Sequence, residues 1–137
     1  MRTFFDSSAF AKRYVEEPGS DAVNRLCVGA SDLAVSILCI PEILSALNRR
    51  VRERSLARPS YERAKRQLLE DLADAAVINL TPGVLATCAG ILEASPLRAM
   101  DALHVACAAE WKAGLFASAD KRQVAAARKA GLQARLV

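Results

Sequence analysis

Apolar residues along this chain fall into two kinds of run. Five are short and nearly unbroken: Arg2 to Phe5, Leu33 to Ser36, Ala76 to Asn79, Leu115 to Ala119 and Gln133 to Leu136. Their length and missing helical period predict β-strands. Between them, apolar positions recur at helical spacing, predicting helices over Ser8 to Val15, Ser20 to Val28, Leu38 to Glu53, Ser60 to Ala73, Pro82 to Glu93, Leu97 to Ala113 and Arg122 to Ala130. Gly114 and Gly131 stand just past two of these helices, where C-terminal glycines occur.

Strands separated by helices require right-handed crossovers. The pattern therefore predicts a three-layer α/β fold, a five-stranded, mostly parallel sheet flanked by helices. One helix pair lacks an intervening strand and is joined around Leu56-Ala57-Arg58-Pro59, which predicts an αα-hairpin. A chain of 137 residues is expected to be a single domain, 1–137, with a single core. No apolar stretch reaches the ~20 residues that span a bilayer. Met1-Arg2-Thr3-Phe4-Phe5-Asp6 meets an acid before any sustained apolar run, so no secretory signal is expected and the cytoplasm is the expected location.

Four acids interrupt the apolar pattern: Asp6, Glu42, Asp101 and Asp120. Removing an ionised carboxylate from water costs several kcal/mol unless it is paired or bound to a metal, so four such positions suggest one shared acidic pocket. Asp6 and Asp120 each follow a strand and precede a helix, at the carboxyl edge where open α/β sheets form their functional crevice. Both can instead be helix N-caps, Asp120 in a capping box with Gln123, and capping does not exclude metal binding because a carboxylate has two oxygens. Asp101 lies on a helix that is apolar nearly all round, which predicts burial, although it can pair with Arg98 or turn to solvent. Glu42 begins the long helix whose core stripe is Leu44, Leu47 and Val51, with Arg49 and Arg50 further along.

Converging carboxylates repel one another unless a cation joins them. An all-oxygen set suits Mg²⁺ or Mn²⁺ rather than zinc. The four cysteines, Cys27, Cys39, Cys88 and Cys107, are scattered among apolar neighbours and read as small buried hydrophobes. The only histidine, His104, follows the spacing of a buried helix face, leaving no Ser/His/Asp triad. A carboxylate-held metal performs phosphodiester hydrolysis by activating water and stabilising charge on the phosphate.

Charge adds a second element. The net charge is +4 and the pI about 9.1 despite the acidic pocket, and arginine outnumbers lysine 14 to 5. Arg49, Arg50, Arg52, Arg54, Arg58, Arg63, Lys65 and Arg66 make the densest basic stretch, which reads either as a polyanion-binding surface or as ordinary solvated helix faces.

At these residues the chain resembles a PIN-domain ribonuclease, and most closely the VapC-type toxins of bacterial type II toxin–antitoxin pairs. Four ordered segments carry the resemblance: Phe5-Asp6-Ser7-Ser8-Ala9, Glu42-Ile43-Leu44-Ser45-Ala46-Leu47, Arg98-Ala99-Met100-Asp101-Ala102-Leu103-His104-Val105-Ala106, and Ser118-Ala119-Asp120. It implies that Asp6, Glu42, Asp101 and Asp120 form a metal site, with Asp6 and Asp101 holding the principal ion and Glu42 and Asp120 completing it directly or through water. It also implies that Ser8 and Ser118 support the site, and that the first strand lies between the second and fourth. The activity implied is Mg²⁺-dependent endoribonuclease cleavage of RNA, by a homodimer silenced by a cognate antitoxin, with the arginine-rich hairpin holding RNA phosphates or the antitoxin.

Three other functions compete with that one. A haloacid dehalogenase-like phosphatase would want an aspartate where Ser8 stands. A phosphoacceptor receiver needs an acid at the end of the third strand, where the sequence reads Val77-Ile78-Asn79-Leu80-Thr81. The third is a catalytically inactive PIN-like module that binds RNA or protein.

Overall fold

The computed structural model describes Met1–Val137. The chain runs β1 (Arg2–Phe5), α1 (Ser7–Phe10), a 3₁₀ turn (Ala11–Arg13), α2 (Ser20–Gly29), β2 (Asp32–Ser36), α3 (Cys39–Arg52), α4 (Arg58–Ala73), β3 (Ala76–Ile78), α5 (Pro82–Ala94), α6 (Ala99–Trp111), β4 (Leu115–Ser118), α7 (Lys121–Lys129) and β5 (Ala134–Leu136). The sheet order is β3-β2-β1-β4-β5 and every pairing is parallel. The expected three-layer fold with β1 between β2 and β4 is what forms.

Register explains how one sheet separates two helical layers. Phe4 pairs with Ala34 and Phe116, while Phe5 pairs with Val35 and Ala117. Successive residues of a strand point to opposite faces. Phe4, Ala34 and Phe116 therefore join Val84, Cys88 and Val105 under α5, α6 and α7, whereas Phe5, Val35 and Ala117 join Phe10, Ile43, Leu47 and Leu68 under α1 to α4. The single core expected from chain length is thus two clusters divided by the sheet. Burial of Phe4 and Phe5 on opposite faces, at about 25 cal/mol per Å² of apolar surface, makes β1 the anchor of both.

Several boundaries differ from the periodicity. The first helix begins at Ser7 rather than Ser8, because Asp6 caps it by accepting from the Ala9 N–H, and it tightens into the 3₁₀ turn after Phe10. Helix α4 starts at Arg58, not Ser60, with Pro59 in its first turn, where a missing N–H costs nothing. Gly131 has the positive φ (91°) of a helix-terminating glycine, but Gly114 does not end α6. Lys112 takes the left-handed position (φ 61°), and the Gly114 N–H donates to the Arg2 carbonyl at 2.8 Å, joining β4 to β1. No helix is long and apolar enough to cross a membrane.

Candidate active site

The carboxyl ends of β1 and β4 meet at Asp6. Its N–H donates to the Ala117 carbonyl at 3.1 Å, and its side chain is fully buried. Asp6 Oδ1 accepts from the Ala9 N–H at 2.9 Å, the Ser8 hydroxyl lies 2.8 Å from both carboxylate oxygens, and the Ser118 hydroxyl donates to Oδ2 at 2.7 Å. The two serines also face the other way: Ser8 Oγ accepts from the Ala119 N–H at 3.1 Å and Ser118 Oγ from the Asp120 N–H at 2.9 Å. Each hydroxyl thus spends its proton on Asp6 and its lone pair on the β4–α7 loop, which seals the seam between the strands. Burial still pushes the Asp6 carboxyl above its ordinary range, against the Ala9, Ser118 and Ser8 hydrogen bonds and the charge of His104.

Asp101 and Asp120 occupy a different setting. Asp120 caps α7 by accepting from the Arg122 N–H at 2.8 Å. The capping box with Gln123 that was one alternative for Asp120 does not close. Gln123 is instead buried and donates Nε2 to Asp101 Oδ1 at 3.2 Å, while the Asp120 N–H that a capping box would give to the Gln123 oxygen goes to Ser118 Oγ and leaves Gln123 Oε1 without a partner. Asp101 and Asp120 line one pocket of about 490 Å³ with Leu97, Arg98 and Arg122. Burial first, and then the charge of Asp120, raise the Asp101 pKa.

Glu42, in the first turn of α3, accepts from the Ser7 hydroxyl at 2.8 Å and pairs through Oε1 with His104 Nε2. Burial pushes Glu42 up, but the hydrogen bond and charge of His104, with the Ser7 bond, hold it below the ordinary carboxylate range. His104 is 1% exposed and its Nδ1 has no partner. It is an electrostatic neighbour of Asp6, Glu42 and Asp101, lowering the pKa of each.

The four acids therefore share one neighbourhood but not one chelate. No three carboxylate, histidine or cysteine side chains are gathered as a ready metal site. Asp101 and Asp120 share the open pocket, Asp6 is closed in by serines, and Glu42 is clasped by Ser7 and His104. The oxygen donors nonetheless fit a hard cation: the Asp101 and Asp120 carboxylates line the pocket, with Arg98 and Arg122 also on its wall, and the charge of Asp120 raises the Asp101 pKa in the way a cation would relieve. Ser7, His104 and Gln123 are neighbours that sequence reasoning did not assign to the site. His104 follows Asp101 by three residues, one helical turn, which was the available signal.

The basic run on the hairpin is partly spent inside the protein. Arg50 pairs with Glu17 at 3.1 Å, Lys65 with Glu62 at 3.3 Å, and the Arg58 guanidinium lies 5.3 Å from the Tyr61 ring centroid. Arg49, Arg52, Arg54, Arg63 and Arg66 remain exposed.

This arrangement of strand-end and helix acids on a β3-β2-β1-β4-β5 sheet defines a class, and comparison with known proteins identifies it. The PIN domain family model matches residues 3–129. Ribonuclease VapC45 of Mycobacterium tuberculosis (strain CDC 1551 / Oshkosh) is 32% identical over 105 residues, covering 77% of this chain and 73% of that protein. The chain belongs to the PIN-domain family and, within it, to the VapC-type ribonuclease toxins. Solved structures agree at the level of fold. The crystal structure of M. tuberculosis VapC20, a Sarcin-Ricin loop cleaving toxin, has a TM-score of 0.70 at 17% identity, covering 90% of this chain and 94% of that one. VapBC2 from Rickettsia felis, bound to a DNA fragment from its promoter, has a TM-score of 0.72 at 12% identity, covering 100% and 99%.

Proposed function

We propose that this chain is a divalent-metal-dependent endoribonuclease that hydrolyses RNA phosphodiester bonds as the toxin of a toxin–antitoxin pair. Mg²⁺ is the ion, Mn²⁺ substitutes for it, and the working form is a homodimer held inactive by its antitoxin. The observation that carries this reading is the open pocket lined by both Asp101 and Asp120 in a chain of the VapC-type family.

Asp101 and Asp120 are the residues to hold the ion, because they share the pocket and their mutual repulsion favours a cation between them. Asp6 supports them from within the fold: its Ser118 partner also holds the Asp120 N–H, so the buried carboxylate fixes the loop that presents Asp120. In this reading Asp101 keeps its expected place as a principal ligand, and Asp120 takes the one expected of Asp6. Glu42 completes the site at its edge. Its Oε1 is occupied by Ser7 and His104, leaving Oε2 free to accept a proton from the attacking water. When bound, the cation supplies Lewis-acid stabilisation of the phosphate and a more acidic water.

Incubating purified, antitoxin-free protein with structured RNAs and Mg²⁺ or Mn²⁺ tests the proposal. Cleavage is expected, abolished by EDTA and lowered at least about 100-fold in Asp101→Asn and Asp120→Asn. Binding without cleavage under either metal would establish the inactive RNA-binding module instead, and equal cleavage by the variants would move the chemistry away from these acids.

A further inference from the structure

The pocket that holds Asp101 and Asp120 is also lined by Arg98 and Arg122, and neither guanidinium is used by the protein. The ion pairs of the chain engage Arg2, Arg13, Arg50, Lys65 and His104. The bonds of these two residues that are seen are made by the backbone: the Arg122 N–H donates to Asp120, and the Arg98 carbonyl accepts from the Ala102 N–H at 3.0 Å. Both side chains are exposed, with every guanidinium donor unspent.

Their positions make this costly for the helices they begin. Arg98 is the N-cap residue of α6, without a side-chain cap bond, and Arg122 lies in the first turn of α7. Helix N-termini carry partial positive charge, so cations there are unfavourable by a few tenths of a kcal/mol each. Helix stability therefore does not account for them; the charge of Arg98 favours ionised Asp101, but neither arginine forms a salt bridge with Asp101 or Asp120. A pocket with two carboxylates and two unspent guanidiniums is complementary to a ligand carrying both signs, a cation with a phosphodiester chain passing over it. Arginine suits the anionic part because its planar fork matches phosphate oxygens in pairs.

We propose that Arg98 and Arg122 form the substrate-binding rim of this pocket and grip the backbone phosphates of an RNA strand on either side of the bond over the acids. The proposal rests on the ribonuclease reading for its substrate class. It assigns backbone affinity to these two residues rather than to the arginine-rich hairpin.

The test is binding of a fluorescein-labelled, mixed-sequence single-stranded RNA to the full chain in EDTA, followed by anisotropy across a KCl series. Arg98→Gln and Arg122→Gln should each weaken binding roughly three- to fivefold and flatten the log–log salt slope by about 0.7, with the double variant losing both increments. Arg98→Lys and Arg122→Lys should keep the slope and recover only part of the affinity, because the charge remains and the fork does not. In Mg²⁺ the Gln variants should raise KM with kcat nearly unchanged. Absence of RNA binding by the parent chain, unchanged affinity in the Gln variants, or equal losses from Arg52→Gln and Arg54→Gln on the hairpin would overturn the rim. Failure of the nuclease reading looks different. If the parent chain cuts no RNA while the pocket arginines still set the salt slope, the rim stands as a binding site and the hydrolase does not.

Discussion

At the end of β1 a carboxylate sits fully buried, with two hydroxyls and a backbone N–H donating to it. Across the same sheet edge, on α6, another faces an open pocket with a single amide donor and a second carboxylate for company. Asp6 and Asp101 were selected from the sequence for the same reason, an acid in an apolar stretch, and the structure gives them opposite conditions. Asp6 is served on all sides and so contributes to holding the fold. Asp101 has one side-chain donor and lines the open pocket. Burial raises both pKa values, and only Asp101 also feels a facing acid.

The sharpest way to break the comparison is to delete each side chain and measure stability. Asp6→Ala strands the Ser8 and Ser118 hydroxyls and the Ala9 N–H and removes the cap of α1, so a loss of about 3 kcal/mol is expected. Asp101→Ala removes a carboxylate that burial and Asp120 both disfavour but takes the acceptor from the buried Gln123 Nε2, and should cost no more than about 1 kcal/mol. Urea midpoints at matched m-values check both. Equal losses would mean that the two acids do the same work.

A smaller effect tests how the closed acid supports the open pair. Ser118→Ala takes a donor from Asp6 and an acceptor from the Asp120 N–H, for an expected cost of about 1.5 kcal/mol. Because Ser118 and Asp6 share one hydrogen bond, the double variant with Asp6→Ala should lose at least about 1 kcal/mol less than the sum of the singles. Simple additivity in that cycle would disconnect Asp6 from the Asp120 loop.

Much of this arrangement was legible beforehand, and the remainder was not for identifiable reasons. Strand and helix periods gave the layers, because a parallel sheet buried on both faces must be written in short apolar runs. The strand ends placed Asp6 and Asp120 at one edge, and both proved to be caps. Capping was one open alternative for each, and it left the other carboxylate oxygen uncommitted at Asp120. Sequence did not reveal that Glu42 would be claimed by His104, since that contact closes over 62 residues of chain and depends on how α3 and α6 pack across the sheet. Nor did it separate Asp6 from Asp101, because apolar context signals burial without saying how many donors burial will supply. Gln123 was misread for the same reason: a local motif offered it Asp120, and tertiary packing offered it Asp101.

A third carboxylate shows what exposure does to an acid as well served as Asp6. Asp71 on α4 is as well served as Asp6: Tyr14 Oη donates to it at 2.7 Å, Arg13 Nε at 3.2 Å and Gln67 Nε2 at 2.9 Å. It lies nearer solvent, however, with 19% of its side chain exposed. There burial still pushes upward but loses to the Tyr14 and Gln67 hydrogen bonds and to Arg13, so its pKa falls below the model-peptide value of 3.8. Burial keeps the Tyr14 hydroxyl protonated, and therefore a donor, throughout the useful pH range. A depressed folded-state pKa stabilises the protein above the unfolded-state value and loses that contribution as pH falls through the folded-state value. Asp71→Asn should therefore cost about 1 kcal/mol at pH 7, and the difference from the parent chain should stay constant down to about pH 5 and shrink below about pH 4. Urea melts at stepped pH measure it directly. A difference that persists undiminished at about pH 2.5 would show that packing rather than ionisation carries the Asp71 contribution, and exposure could then no longer be what sets Asp71 apart from Asp6.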